Sequence, residues 1–233
     1  MPFLYLDKYY ILLCIPAFII AMIANSAVNR AYAKYSQMRN TRGISGAQAA
    51  YNVLMQHGVN NVKIEKTSGK LSDHYDPRAN VIRLSPEVYD GRTVAAVGIA
   101  CHEAGHALQY AQGYFPIKVR NAVIPITKFG SSAGVFLTIL GLLFSFEPLV
   151  SVGLLLYFFI VVFQFVTLPV EFNASRRAVQ VIDETNMLSS EEIPHVKKML
   201  SAAAMTYVAA LIVALAQFLR LFLRVNNNNN RRR

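Results

Sequence analysis

Four apolar stretches constrain this chain more than anything else in it. Each comes close to the roughly twenty residues that a helix needs to cross a hydrocarbon core. They run from about Tyr9 to Val28, Phe129 to Phe146, Leu149 to Leu168 and Ala202 to Leu223. Inside a bilayer no water is present to bond the backbone, so each is expected as a helix. The first is too long for a removable signal peptide and lacks a small-residue cleavage site, so it reads as a retained anchor. Gly130, Ser131, Ser132, Ala133 and Gly134 open the second, where small residues let helices approach closely. Glu147-Pro148 is expected to turn the chain into the third. With 54% of its 233 residues hydrophobic and 15% charged, the chain is not an ordinary soluble domain, which carries about a quarter charged residues.

The net charge of +10 comes from 23 Lys and Arg against 13 Asp and Glu. These cations flank the apolar runs and no nucleic-acid motif accompanies them, so they read as membrane topology and not as a nucleic-acid surface. If the four segments alternate, one face collects Arg30, Lys34, Arg39 and Arg42, then Lys118, Arg120 and Lys128, then Arg176 and Arg177, then Lys197 and Lys198. That face is expected to be the cytoplasmic side of a cell membrane crossed several times. The terminal arginines fall on the other side unless the fourth segment fails to cross. Cys14 and Cys101 make no disulfide framework and read as small buried hydrophobes.

The chain divides accordingly. Residues 1–28 form an anchor and 29–128 the one sizeable polar portion, on the cytoplasmic side. A transmembrane hairpin occupies 129–168, a second polar segment 169–200, and a fourth apolar helix with a basic tail 201–233. In the first polar portion, Gly46 to Gly58 reads as a short amphipathic helix. Val62 to Lys66 and Asn80 to Ser85 read as strands, with a turn between them. A long helix is expected from about Arg92 to Ala111, capped by Asp90 and ended by Gly113.

Inside that helix stands His102-Glu103-Ala104-Gly105-His106. Residues four apart lie one turn above each other, so both imidazoles leave the same face and can hold one Zn²⁺. Water at such a site has its pKa lowered towards neutrality. Glu103, rotated off the ligand pair, is placed to accept its proton. Two of only five histidines fall in this string, and the residues before it are apolar, where free imidazoles are costly.

A catalytic zinc site wants three protein ligands and an open position. A histidine six residues beyond the second is absent, since Gln112 stands there. The aspartate motif of intramembrane proteases is absent too, because Tyr89-Asp90-Gly91 lies upstream. Glu147 falls on the far side of the membrane, and Asp183, Glu184, Glu191 and Glu192 sit in a stretch expected to be solvated. Glu171 follows the third span on the same side as the HExxH helix, and is the candidate third ligand.

HEAGH, with EFNASRRA after a hydrophobic hairpin, resembles the YugP-like family of membrane zinc metallopeptidases, similar in layout to the HtpX and CAAX-prenyl-type gluzincins. Ser72 to Tyr89, Gly91 to Ala95 and Ala203 to Ala210 extend the resemblance to nearly the whole chain. It implies His102, His106 and Glu171 as ligands of one zinc per chain, and Glu103 as general base. It also implies a membrane α-helical fold with about four transmembrane helices and a small α+β zincin-like catalytic portion, the HExxH helix packed beside a short β-hairpin or sheet. HtpX-type relatives carry an acid four residues after the third ligand, to orient a zinc histidine. Here Ser175 occupies that position, with Asn173 as a second candidate for the task.

Other residues are candidates by position. His74 and Tyr75, in the turn, are candidate oxyanion donors. The strand at Asn80 to Ser85, if an edge, offers pairing to an extended substrate. Arg176 and Arg177 suit lipid headgroups. The reading is an integral membrane zinc metallopeptidase acting on membrane or membrane-associated proteins, its partners a protein or peptide substrate and the bilayer, with no nucleic acid; oligomeric state is left open. The rival is a non-proteolytic membrane scaffold with a structural or vestigial zinc site.

Overall fold

A computed structural model describes residues 7–144 and 146–230, and most of them are helical. A π-helical stretch, Tyr10–Cys14, leads into α1 (Ile15–Tyr35). Then come α2 (Gly46–Gln56), β1 (Lys63–Lys66), β2 (His74–Asp76), β3 (Val81–Leu84), α3 (Pro86–Tyr89), α4 (Val94–Ala111), α5 (Phe115–Leu143), α6 (Glu147–Glu184) and α7 (Ile193–Asn230). Among the described residues, three helices are long and apolar enough to cross a membrane: Tyr10–Tyr35, Glu147–Glu184 and Ile193–Asn227. The halves of α5, Phe115–Lys128 and Ala133–Leu143, are bent by 45° and together would make a fourth. Helix thus begins well before the Phe129 expected for the second span. Glu147 and Pro148 form the first turn of α6 and not a separate turn. Proline's fixed φ and missing N–H suit that position.

The chain folds as two compact units. One gathers residues up to Ala24, Lys118–Leu168 and the chain from Thr206 onward. Its helices approach through small residues, for a Cβ on Gly153 would lie 2.5 Å from the Thr138 nitrogen. Arg220 is 6% exposed and pairs with Asp7 at 3.0 Å. A cation in an apolar helix needs such a partner.

The other unit, Asn25–Ile117 with Pro169–Met205, holds the sheet. Its order is β1-β3-β2, with β1 parallel and β2 antiparallel to β3. The core is built from α2, α4 and β3, with Leu54, Ile82, Leu84, Val97 and Leu108 fully covered. Three local readings need correction here. The turn expected at His74 and Tyr75 is the strand β2. The strand at Asn80 to Ser85 is central, paired on both sides, so it has no free edge. Thr93, not Asp90, caps α4, accepting from the Ala96 N–H at 3.1 Å. Glu192 also departs from the solvated placement expected of it. It is 6% exposed and accepts from the Thr41 and Ser189 N–H groups at 2.8 Å each.

Helix α6 passes α4 at one glycine. A Cβ on Gly105 would stand 2.9 Å from the Ala174 carbonyl oxygen, nearer than real Cβ atoms come to any heavy atom. Gly105→Ala is therefore expected to cost about 1–3 kcal/mol by forcing two backbones apart. Thermal unfolding of the purified protein measures this, and an unchanged midpoint would mean the helices do not touch there.

Candidate metal centre

Helix α4 is capped at Thr93, and its first turns, Val94 to Val97, are buried. One turn later it presents His102 and His106 on the same face, ring centroids 4.7 Å apart and planes at 82°. Helix α6 brings Glu171 to them. Its Oε2 lies 3.4 Å from His102 Nε2 and 3.6 Å from His106 Nε2. One ligand atom from each of the three lies within 4.8 Å of the others. Of the acidic residues weighed as third ligand, the structure therefore sets Glu171 with the two histidines. Tetrahedral zinc with ligands about 2.0–2.2 Å away holds them roughly 3.3–3.6 Å apart, so both glutamate–histidine distances fit. The donor set fits as well, since zinc is bound by histidine nitrogen and by aspartate or glutamate oxygen.

Burial makes the fit consequential. The Glu171 side chain is 5% exposed, and those of His102 and His106 are 16% and 13%. A carboxylate so far from water requires compensating positive charge or strong donors. Burial opposes protonation of His106, but the Glu171 hydrogen bond and the Glu103 and Glu171 carboxylates outweigh it and hold its pKa above the ordinary value. Cys101, beside His102 in sequence, is wholly covered, and burial pushes its thiol far up. It is a packing residue, in agreement with the sequence.

Glu103 is 9% exposed and one of its oxygens is fixed. Its Oε2 accepts from the Tyr75 backbone N–H at 3.0 Å. Strand β2 thus holds the Glu103 carboxylate, a task that no side-chain pattern announces. The other polar groups of the pair are engaged locally. The Tyr75 hydroxyl bonds Asn80 Oδ1 at 2.6 Å, and the ring of exposed His74 bonds the Ser72 carbonyl at 2.7 Å through Nδ1.

Each histidine has a partner on its outer nitrogen. A ring that offers Nε2 to a metal keeps its proton on Nδ1, which then needs an acceptor. For His102 the partner is Ser175 Oγ at 3.2 Å. For His106 it is Gln109 Oε1 at 3.0 Å. Gln109 is fully buried and donates through Nε2 to the Val170 carbonyl at 2.8 Å and to Asn173 Oδ1 at 3.0 Å. Asn173 Oδ1 also accepts from Arg177 Nε at 2.8 Å, and Arg177 reaches on to Gln112. Ser175 therefore contacts a histidine directly, while Asn173 does so through Gln109. Sequence reasoning missed Gln109, although its place three residues after His106, on the same helical face, was a usable signal. Losing an outer-shell partner costs about 10- to 100-fold in metal affinity. Gln109→Ala should show a loss of that size in competition with a chelator, and wild-type affinity would refute its role.

The sequence profile of the family described as "Putative neutral zinc metallopeptidase" matches residues 10–226. Over 211 residues the chain is 40% identical to the "Putative membrane protease YugP" of Bacillus subtilis (strain 168), covering 91% of this chain and 94% of that protein. No solved structure matches. Because the match runs through the apolar helices as well as through the histidine helix, the chain belongs to the YugP-like family of membrane zinc metallopeptidases.

Proposed function

We propose that the protein hydrolyses peptide bonds in membrane or membrane-associated proteins, as a zinc metalloendopeptidase of the gluzincin type. The observation that carries this reading is Glu103, fixed by a backbone N–H beside the two histidines and Glu171. His102, His106 and Glu171 would hold one zinc per chain and leave a coordination position open. When bound, zinc supplies Lewis acidity, which acidifies water and polarises a carbonyl. Glu103 then takes a proton from the attacking water on the oxygen not held by Tyr75, and passes it to the leaving amine. The Tyr75 N–H keeps that carboxylate from turning away, while Ser175 and Gln109 keep the imidazoles aimed.

Strand β2 is an edge of the sheet, and its Tyr75 N–H points to Glu103. An extended substrate is proposed to lie along this edge, the role the sequence had given to β3. The layout of an HExxH helix beside such an edge supports a zincin-like catalytic portion. Four crossings, with α5 as one of them, and the cation-rich flanks support a site at the cytoplasmic surface.

Two experiments test this. Metal content and turnover of an unfolded protein are measured for wild type, Glu103→Gln and Glu171→Ala in detergent. Glu103→Gln should keep its zinc and lose about 10²- to 10⁴-fold in rate. Glu171→Ala should lose more metal affinity than the roughly 10- to 100-fold of an outer-shell change. Zinc-loaded wild type with no turnover, matched by Glu103→Gln, would favour a scaffold. For orientation, Lys70 is exposed on the catalytic unit, and Lys70→Cys should react with an impermeant maleimide only after cells are opened. Labelling of intact cells would put the site outside.

A further inference from the structure

Beside Ser175, on the face of α6 turned towards α7, lies a groove of about 510 Å³. It is built within the catalytic unit, and its two ends differ in chemistry. Phe172 and Ala204 line one end, and Phe172 is 40% exposed. Arg176 and Lys197 line the rest, with Asp183 as the one acid. The neighbouring Arg177 is committed to Asn173 and Gln112. Arg176 and Lys197, both exposed, make no ion pair among the described residues. The groove thus offers two uncommitted cations against a single carboxylate.

Its position along the chain explains the order of these groups. Phe172 and Arg176 stand about one and two turns past Leu168, where the apolar run of α6 ends. On α7, Lys197 precedes the apolar run and Ala204 lies within its first turn. On both helices the apolar end of the groove is the end nearer the apolar run, and the cations lie beyond it. An occupant suited to this order carries hydrocarbon at one end and negative charge at the other. Basic pockets between helices at the membrane surface take phospholipid headgroups by this chemistry.

We propose that the groove between α6 and α7 holds an anionic phospholipid, its phosphate on Arg176 and Lys197 and the start of an acyl chain against Phe172 and Ala204. The lipid would lie against Ser175, whose Oγ is 3.2 Å from His102 Nδ1. The site stands independently of the hydrolytic reading, because it needs neither zinc nor turnover.

The test uses the full chain in neutral detergent, with lipid binding followed by native mass spectrometry. Phosphatidylglycerol should bind at least tenfold more tightly than phosphatidylcholine, and millimolar inorganic phosphate should not displace it. The double variant Arg176→Gln/Lys197→Gln should lose at least tenfold in phosphatidylglycerol affinity with its zinc content unchanged. Asp183→Asn, which removes the groove's one acid, should bind more tightly, and it decides the matter if the double variant does not fold. Equal binding by wild type and both variants would place the lipid elsewhere and overturn the proposal. Displacement by inorganic phosphate would reduce the groove to an anion site without an acyl contact, and overturn it equally. Capture of an acidic peptide in preference to the lipid would do the same.

Discussion

The backbone of α6 at Ala174 lies against α4 at Gly105, and the spacing of the three candidate ligands depends on that approach. Gly105 stands between Glu103 and His106 in sequence, and Ala174 lies three residues beyond Glu171, so the contact falls among the groups it has to register. A contact between backbones has little freedom to relax, unlike one made by side-chain tips. The few tenths of an ångström that separate a good metal site from a poor one are thereby set by two helices with almost nothing between them.

Near this contact the protein has a hydroxyl, on Ser175, where HtpX-type relatives are expected to carry an acid. In a region so little exposed, a further carboxylate would add a charge that itself required a partner. Ser175 and Gln109 accept from the two rings without that cost. Gln109 gains a second function from its other end, since its donors tie α4 to the α6 backbone at Val170. The orientation of His106 and the packing of the two helices are thus enforced by one side chain. Arg177 sits at the outer end of this network, where its charge can be solvated.

How much was legible in the sequence follows from how local each signal is. The i, i+4 spacing of His102 and His106 is a property of one helix, and so was readable at once. Glu171 was reachable by elimination, because its position after an apolar run limits where it can emerge. Strand β2 is three residues long and ends against Asp76-Pro77, too short for alternation to show. Its service to Glu103 runs through a main-chain N–H, which has no residue signature. Glu192 looked solvated because Ser189, Ser190 and Glu191 surround it, yet its partner Thr41 lies 151 residues away. The early start of α5 was hidden by Lys118, Arg120 and Lys128, which read as a polar flank. Ile117 nevertheless anchors that helix in the core at 1% exposure.

The Gly105 contact also bears on how a metal ion and the fold depend on each other. Where ligands are drawn together only by the ion, as in small zinc domains, metal and fold arrive and leave as one event. Here helix packing, glutamine and serine hold the donors in place on their own account. Loss of the ion need not then undo the packing of α4 on α6.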